Sequence, residues 1–325
     1  MMNPPRHVTM GPGREFDAVR ALLERWGPAA VGIGDDAAVL DVPAGARLVV
    51  STDTTVEDVH FRSGWLTPRE IGWRAAMAAL SDLAAMGATP LGALFALTVP
   101  THWRDSLGEL AQGLGDAAAA AGAPIVGGDV TGGDRLALAI TVLGHAKHPL
   151  RRSGARAGDT LYVTGRLGGP GAALAAWELG RAPLPADRER FAHPAARIAA
   201  GEWLAAHGVH AAIDLSDGLA GDLAHMAAAS GVRCVLEIDT IPTHGSASAM
   251  DALVSGEEYE LLVAASAVST EYFAQATGGL TLTAVGRVEA STKLGAGGLA
   301  IGEVVAILAG HQVPLPGAFD QFVDP

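Results

Sequence analysis

Apolar and polar positions alternate along this chain in short runs that predict a mixture of helices and strands. Apolar residues at helical spacing predict a first helix over 15–26, and the runs at 31–40 and 47–55 predict two neighbouring strands. The same patterns predict further helices over 67–86, 105–121, 171–179, 194–207 and 219–230, and further strands over 91–99, 124–127, 135–145, 160–164, 233–238, 261–264 and 280–288, with a short strand ending at Asp214. This order predicts the α+β fold class for both halves of the chain.

A connection rich in Pro, Gly and charge separates the two halves. The segment 148–154 reads His-Pro-Leu-Arg-Arg-Ser-Gly, which is typical of a domain boundary. The length of 325 residues also favours two domains, since one domain usually takes about 100–200 residues. We therefore expect an N-terminal domain over 1–148 and a C-terminal domain over 149–325.

Composition narrows the possible functions. The net charge of −13 disfavours sequence-independent binding of nucleic acid, which needs clustered Lys and Arg. The only lysines, Lys147 and Lys293, lack a Gly-Lys-Ser/Thr context, which excludes a Walker-type phosphate loop, and the single cysteine, Cys234, excludes an intramolecular disulfide. The N-terminus lacks the apolar segment of a signal peptide, and no apolar stretch reaches the roughly 18–20 residues of a membrane span. We expect a cytoplasmic protein that binds neither nucleic acid nor membrane.

Seven aspartates lie in short segments rich in Gly, Ser and Thr, each at or near the end of an apolar run. They are Asp35, Asp36, Asp53, Asp82, Asp129, Asp214 and Asp217. Sites are usually built where strands and helices meet loops. Two carboxylates about 4 Å apart repel by roughly 4 kcal/mol at an effective dielectric near 20. If these aspartates converge, they therefore predict a phosphate site that holds several divalent cations.

Each segment also has a structural interpretation that its local sequence leaves open. Ser51-Thr52-Asp53 ends its predicted strand with hard oxygen donors of the kind that Mg²⁺ prefers, but a cap or an Asx-turn explains it as well. Asp82 lies near the end of its predicted helix, where the macrodipole disfavours a carboxylate, and this broken rule favours a function over a solvated helix end. His60 follows Asp53 by seven residues, an odd separation, so a turn must intervene if both serve one site.

The glycine-containing segments are similarly ambiguous. The Gly-Gly-Asp segment 127–129 follows a predicted buried strand, and its glycines permit either the close approach of a ligand or a tight turn. The segment 214–219, Asp-Leu-Ser-Asp-Gly-Leu, ends a strand and opens a helix, where free backbone N–H groups favour phosphate, although it also offers plain N-cap residues. The segment 165–171 joins a strand to a helix without the dinucleotide spacing, and the acidic segment 256–260 is locally best explained as the start of a strand.

Taken together and in order, these segments resemble the thiamine-monophosphate kinase family. The shared segments run from about 32 to 322 and are Gly-Asp-Asp-Ala-Ala, Ser-Thr-Asp-Thr with Val-Glu-Asp-Val-His-Phe, Ser-Asp-Leu-Ala-Ala-Met-Gly-Ala, Gly-Gly-Asp, Arg-Ser-Gly-Ala before Gly-Asp, and Ile-Asp-Leu-Ser-Asp-Gly-Leu. The resemblance implies the two-domain PurM-like fold of the aminoimidazole ribonucleotide synthetase superfamily, usually a homodimer joined through the N-terminal sheets. It also implies ATP-dependent phosphorylation of thiamine monophosphate to thiamine diphosphate.

The resemblance further implies roles for individual residues. The expected ligands of magnesium ions are Asp36, Ser51, Thr52, Asp53, Asp82, Asp129, Asp214 and Asp217, with Asp35 a neighbour whose role stays open. The expected contacts with ATP are Gly128, Asp129, Arg152 and Ser216, and those with the thiamine substrate are His60, Glu257 and Phe319. The carboxylates expected to be catalytic are Asp53, Asp129 and Asp214.

The chain departs from the family pattern outside the aspartate set. Ser255-Gly-Glu-Glu258 stands where the family usually has Gly-Gly-Glu-Asp, Ala111 stands where a Tyr is often found, and Gln321 stands where a His often is. Two alternatives remain beside the kinase. One is another ATP-dependent enzyme of the same superfamily, similar to aminoimidazole ribonucleotide synthetase, and the other is a non-catalytic sensor of nucleotide or thiamine phosphate.

Overall fold

The computed structural model describes His7 and residues 14–33, 36–293 and 301–315, except for the side chains of 14–16. The chain divides into two compact units. Unit 1 comprises Met1–Leu83 and Ala88–Lys147, and unit 2 comprises Ala84–Gly87 and His148–Pro325. No helix in the described ranges is both long enough and apolar enough to cross a membrane.

Unit 1 is built on a four-stranded sheet with the strand order β1-β4-β2-β3. Its elements are α1 (Arg14–Trp26), β1 (Arg47–Val56), α2 (Pro68–Ala85, whose last two residues belong to unit 2), β2 (Thr89–Val99), α3 (Leu107–Ala120), β3 (Ile125–Gly132) and β4 (Ala137–Ala146). The pairs β1–β4 and β2–β4 are antiparallel, whereas β2–β3 is parallel. The two edge strands, β1 and β3, are therefore separated by the two central strands.

Helices cover one face of this sheet. Residues that alternate along β4 and β2, such as Ile140 and Phe95, are buried on that face. α2 packs on that face. A Cβ added to Gly144 of β4 would lie only 3.1 Å from the side chain of Leu83 in this helix. On the other face, Leu48 and Val50 of β1 are 51% and 55% exposed. Unit 1 thus presents an open sheet face with apolar side chains.

Unit 2 contains a seven-stranded sheet with the order β11-β10-β7-β9-β5-β8-β6. Its elements are β5 (Thr160–Thr164), α4 (Gly169–Glu178), α5 (Pro185–Ala192), α6 (Ile198–Ala206), β6 (Val209–Asp214), α7 (Leu219–Ser230), β7 (Val232–Glu237), α8 (Ala249–Val254), β8 (Leu261–Ala265), α9 (Thr270–Ala276), β9 (Leu282–Ala290), β10 (Glu303–Leu308) and β11 (His311–Val313). Among the paired strands in the described residues of this unit, only β7 and β10 run parallel.

Both faces of the unit 2 sheet carry a hydrophobic core. Alternate residues of β8 belong to two separate clusters, because Leu262 packs with Leu223 of α7 whereas Val263 packs with Leu204 of α6 and Phe273 of α9. The strand is consequently buried along its whole length. This explains why its sequence is a continuous apolar run and not an alternating one.

The predicted α+β class and the PurM-like two-unit architecture agree with this structure, but several predicted elements do not. The predicted strand over 31–40 is wrong for its described residues, where Gly32 takes a left-handed φ of 64° that interrupts an extended strand. Ala30, the residue before this range, bridges to Ile125 of β3. The strand that pairs with β1 is β4. The helices α5, α8 and α9 and the strands β10 and β11 were not predicted, since elements of three to eight residues are too short to show a clear period.

Candidate functional site

Two of the unit 1 candidates occupy one face of β1. Ser51 and Asp53 alternate with Thr52, and the Ser51 hydroxyl donates a hydrogen bond to the carboxylate of Asp82 in the last turn of α2. The Thr52 hydroxyl lies on the opposite face, 3.1 Å from the hydroxyl of Thr141. β1 ends at Val56, one residue beyond the predicted bound of 55, so Ser51-Thr52-Asp53 lies inside the strand and the interpretation that it stands at the strand end is wrong. Ser51 is therefore positioned beside Asp82 of α2 by the register of its strand and not by a loop.

Gly128 and Asp129 lie inside β3, where the prediction put the strand end at 127. Gly128 has φ 155°, and a Cβ there would come within 2.1 Å of the Phe95 carbonyl oxygen, so only glycine allows β3 to approach β2 this closely. Asp129 pairs in register with Ala96. β3 and β1 are opposite edges of the sheet, and three strand spacings separate Asp129 from Asp53 by about 14 Å. One ion cannot be held by both carboxylates of the same chain.

His60 is reached through the turn that the sequence required. The segment 57–61 turns after β1, with Asp58 in the left-handed region at φ 66°. The backbone N–H of Val56 donates to His60 Nδ1 over 3.1 Å. Nδ1 is therefore an acceptor, and the ring proton sits on Nε2, where it is able to donate to a ligand.

The remaining candidate residues differ in their exposure. Asp36 and Arg152 are exposed. Ala111 is fully buried, and its carbonyl accepts a hydrogen bond from Trp26 Nε1 over 2.8 Å, so this position packs the core and offers no stacking surface to a nucleotide. Asp35, Phe319 and Gln321 lie outside the described residues.

Three of the unit 2 candidates lie where β6 ends and α7 begins. Asp214 is the last residue of β6 and is only 5% exposed, while Ser216 and Asp217 follow in the turn before α7. Gly218 takes φ 107° at the N-cap of α7, a conformation that glycine adopts readily. A strand end, a tight turn and a helix start thus bring the carboxylates of 214 and 217 near the free N–H groups of a helix.

Asp222 is a site residue that the sequence reasoning missed. Its buried carboxylate accepts the backbone N–H groups of Ser216 over 3.1 Å and of Asp217 over 3.2 Å. Its pKa is raised to about 8, mainly by burial and also by the negative charges of Asp214 and Asp217, against the lowering effect of the two N–H groups. An acidic residue in the first turn of a helix is usually explained by the helix dipole, which hid this role in the sequence.

The acidic segment 255–260 runs beside this turn. It has no regular secondary structure and joins α8 to β8. The N–H of Glu257 donates to the Ser216 carbonyl over 2.7 Å, and the N–H of Tyr259 donates to the Leu215 carbonyl over 2.8 Å. Glu257, the expected substrate contact, therefore lies next to Ser216, the expected ATP contact, although they are 41 residues apart in sequence.

Two buried carboxylates of this segment have basic partners. Glu260 receives Arg197 Nε over 2.8 Å, Arg190 Nη2 over 3.1 Å and the Thr164 hydroxyl over 2.6 Å. Glu258 is 1% exposed, and Arg190 Nη2 lies 3.4 Å from its carboxylate and 3.1 Å from its carbonyl oxygen. Burial raises the pKa of Glu258 to about 7, although Arg190 and two hydrogen bonds act in the opposite direction.

The glycine-rich segment 165–171 has a structural partner. The N–H of Gly168 donates to the Glu258 carboxylate, and the N–H of Gly171 donates to the Ser255 hydroxyl over 3.0 Å. The N-terminus of α4 therefore satisfies its free N–H groups with the segment 255–260. This finding gives the segment, which lacks the dinucleotide spacing, a structural role.

The donors of each unit suit magnesium in chemistry but are not gathered into a complete cage. Within the described part of the chain, no group of three or more His, Cys, Asp and Glu side chains is placed to hold a metal ion. Mg²⁺ usually takes one or two carboxylates together with waters and substrate phosphates, so a pair of hard oxygen donors is sufficient. Besides burial, the charges of Asp214 and Asp217 raise the pKa of Asp222, so three carboxyl groups lie close together at this turn, where a cation would reduce their repulsion.

Comparison with known proteins matches both units to one family. Residues 34–146 match the model of the AIR synthase related protein N-terminal domain, and residues 156–298 match that of the C-terminal domain. The thiamine-monophosphate kinase of Rhodopirellula baltica is 36% identical over 284 residues, which cover 82% of this chain and 85% of that protein.

Solved structures show the same similarity. The crystal structure of thiamine-monophosphate kinase from Stenotrophomonas maltophilia K279a has a TM-score of 0.77 and 33% identity, covering 90% of this chain and 97% of its own. A structure of AaThiL complexed with AMPPCP and TMP has a TM-score of 0.72 and 26% identity, covering 93% of this chain and 94% of its own.

Proposed function

Because this chain belongs to the AIR synthase related family and, within it, to the thiamine-monophosphate kinases, we propose that it transfers the γ-phosphoryl group of ATP directly to thiamine monophosphate. A P–O bond forms between the acceptor phosphate and the γ-phosphorus, and the bond to the β-phosphate oxygen breaks, which yields thiamine diphosphate and ADP. The observation that carries the proposal is the similarity, over 93% of the chain, to a structure that holds both AMPPCP and TMP.

The chemistry of the acceptor explains the type of site. A phosphate monoester has a second pKa near 6 and is mostly ionised at pH 7, so it needs no general base. The obstacle is the approach of two anions, and catalysis depends on charge neutralisation and in-line positioning. A site rich in aspartates and without a dedicated base is consistent with this requirement. Bound Mg²⁺ would neutralise the phosphates and orient the attacking and leaving oxygens.

The proposed magnesium ligands fall into one set in each unit. Unit 1 supplies Asp36, Ser51, Thr52, Asp53, Asp82 and Asp129, and unit 2 supplies Asp214 and Asp217. The Ser51–Asp82 hydrogen bond and the crowding of charge around Asp222 support this assignment. Asp53, Asp129 and Asp214 are the carboxylates proposed to be essential for turnover.

The remaining proposed contacts separate into a nucleotide side and a substrate side. Gly128, Asp129, Arg152 and Ser216 would contact ATP, and His60, Glu257 and Phe319 would contact thiamine monophosphate. The 2.7 Å bond between the Glu257 N–H and the Ser216 carbonyl supports this arrangement, since it brings one residue of each side together within unit 2. A cytoplasmic location, where ATP is available, completes this part of the proposal.

A homodimer joined through the unit 1 sheets is also part of the proposal. Leu48 and Val50 are more than half exposed on the open face, which is unusual for large apolar side chains of a sheet and suits an interface with a second copy. A dimer would also allow Asp53 of one copy and Asp129 of the other to serve one site, which their separation of about 14 Å within a chain prevents.

A direct assay tests the proposed activity. Purified protein is incubated with ATP, Mg²⁺ and thiamine monophosphate, and thiamine diphosphate and ADP are quantified by chromatography. Equal amounts of both products are expected. ADP without thiamine diphosphate would indicate another ATP-dependent enzyme of the superfamily, and tight binding of both ligands without either product would indicate a sensor.

A further inference from the structure

The segment 255–260 holds two residues in a conformation that side chains disfavour. Glu257 has φ 63° and Tyr259 has φ 53°, both in the left-handed region. Such residues persist only where their surroundings over-determine them, and they are found preferentially at functional sites. The conformation of Glu257 must therefore be imposed by its neighbours.

Part of this constraint is the backbone pairing with the turn after β6. The N–H groups of Glu257 and Tyr259 donate to the carbonyls of Ser216 and Leu215, and the Leu215 N–H donates back to the Glu260 carbonyl over 2.8 Å. A Cβ on Gly256 would come within 2.7 Å of the Ser216 carbonyl oxygen. The segment is consequently in close contact with the turn, and any movement of Glu257 would break these bonds.

The other part is a set of buried side chains that we call the anchor, comprising Ser255, Glu258 and Arg190. The Ser255 hydroxyl donates to Glu258 Oε1 over 2.6 Å and accepts the N–H of Gly171. Arg190 approaches both the carboxylate and the carbonyl of Glu258, and it is itself only 15% exposed. The anchor groups bond to one another, to the N-terminus of α4 and, through Arg190, to Glu260, so the anchor is part of a connected polar network.

Glu258 points its side chain in a different direction from its neighbours Glu257 and Tyr259. Glu258 is directed into the anchor, whereas the half-buried carboxylate of Glu257 accepts a hydrogen bond from the Tyr259 hydroxyl. The two left-handed residues flank Glu258 and allow this reversal. The anchor therefore determines where the Glu257 carboxylate is presented.

We propose that Ser255, Glu258 and Arg190 are positioning residues that hold Glu257 in place for the cationic ring of the substrate thiamine monophosphate. The choice of ligand rests on the proposed function, whereas the holding of Glu257 does not. A carboxylate held in one orientation binds a cation without first losing conformational freedom, which favours affinity. Ser255 and Glu258 are also the two positions at which this segment departs from the pattern that it resembles, and their direct hydrogen bond shows that the two departures belong together.

The test uses the full-length protein and conservative changes. Glu258→Asp shortens the side chain by one methylene and withdraws it from Ser255 and Gly168. Hydrogen–deuterium exchange of the 255–260 amides should become at least about tenfold faster, because a loosened segment separates the amides of Glu257 and Tyr259 more often from the carbonyls that they bond to. The KM for thiamine monophosphate should rise at least about tenfold, with kcat and the KM for ATP changed less than about threefold.

Two further variants make the test specific. Ser255→Gly combined with Glu258→Asp should cost less than the sum of the two single changes, since both changes break the same hydrogen bond. Glu289→Gln is the matched control, because this carboxylate of unit 2 is paired with Arg233 and Arg287 away from the segment. It should change neither the exchange of the 255–260 amides nor the KM values. If Glu258→Asp does not fold, the milder Ser255→Ala takes its place.

The outcomes separate this inference from the proposed function. Unchanged exchange in 255–260 overturns the inference, and so does faster exchange with an unchanged KM for thiamine monophosphate, which would make the anchor merely structural. If the wild-type protein neither binds nor phosphorylates thiamine monophosphate, the proposed function fails. The holding of Glu257 is then judged by exchange alone, where a faster rate in Glu258→Asp supports it and an unchanged rate overturns it.

Discussion

The two sheets of this protein differ in how many of their faces are covered. In unit 2, helices pack on both faces, and strands such as β8 are buried throughout. In unit 1, one face packs on helices while the other exposes Leu48 and Val50. An exposed apolar patch on a sheet often marks a surface that binds another protein. The comparison supports the proposal that unit 1, unlike unit 2, associates with a second copy through its open face.

The same difference extends to how the proposed site residues are held. In unit 1, Ser51, Asp53 and Asp129 lie on regular strands, and sheet register sets their positions. In unit 2, Ser216 and Glu257 lie on irregular segments that buried hydrogen bonds hold together. We therefore expect substitutions in unit 1 to affect association and chemistry, and those in unit 2 to affect local stability as well.

The largest expected effect concerns the open face. Val50→Asp introduces a charge that appears twice in a two-fold interface, and it should weaken the dimer by at least about a hundredfold because a buried unpaired charge is costly. Sedimentation velocity over a range of concentrations measures this change. Leu179→Asp, an equally exposed change on unit 2, should leave the dimer intact. A monomeric wild-type protein, or a variant that dimerises as tightly as wild type, would contradict the proposed interface.

The next effect concerns turnover. Asp53→Asn or Asp214→Asn should each lower kcat by at least about tenfold at saturating Mg²⁺, since each removes a negative oxygen donor from the proposed metal ligands. Asp134→Asn, in an exposed turn after β3, is the control and should retain wild-type activity. Thermal unfolding verifies that the variants are folded. Near-wild-type rates in both Asp53→Asn and Asp214→Asn would refute the assignment.

Mixing two inactive variants tests whether the site is shared between copies. If Asp53 of one copy and Asp129 of the other serve one site, a mixed dimer of Asp53→Asn and Asp129→Asn contains one intact site. An equal mixture after subunit exchange should then recover about a quarter of the wild-type activity. Activity that stays at the level of the separate variants would place both residues in the same copy's site or in independent ones.

The sequence alone predicted some elements of the structure and missed others. The bounds of β5 and α7 were predicted as the structure has them, because a compact apolar run ends at Gly165 and a helical pattern begins after Gly218. The partner of β1 was predicted wrongly, since strand pairing depends on contacts between distant residues and not on local pattern. Asp222 and the anchor were missed for the same reason. Their roles consist of hydrogen bonds to residues that only the folded chain brings near.

A smaller effect is expected in the pH dependence of stability. The pKa of Glu258 is about 7 in the folded protein against an ordinary 4.5, so the folded state binds more protons than the unfolded state between these values. Stability should therefore fall as the pH rises from about 4.5 to 7, with a slope of at most about 1.4 kcal/mol per pH unit from this one group. In Glu258→Gln this part of the slope should disappear. Urea unfolding at pH 5, 6 and 7 measures it, and an unchanged slope would contradict the assignment.

The smallest expected effect separates two contributions of Asp222 to the unit 2 turn, namely its hydrogen bonds and its charge. Asp222→Ala removes the acceptor of two partly buried N–H groups and should lower the free energy of unfolding by about 1 kcal/mol. Asp222→Asn keeps an acceptor oxygen and removes the repulsion from Asp214 and Asp217, so it should unfold within about 0.5 kcal/mol of wild type. Urea unfolding in the presence of a chelator compares the two. Equal losses of unfolding free energy in both variants would mean that Asp222 contributes its charge and not its hydrogen bonds. The turn of unit 2 would then resemble strand β1 of unit 1, whose geometry needs no buried acceptor.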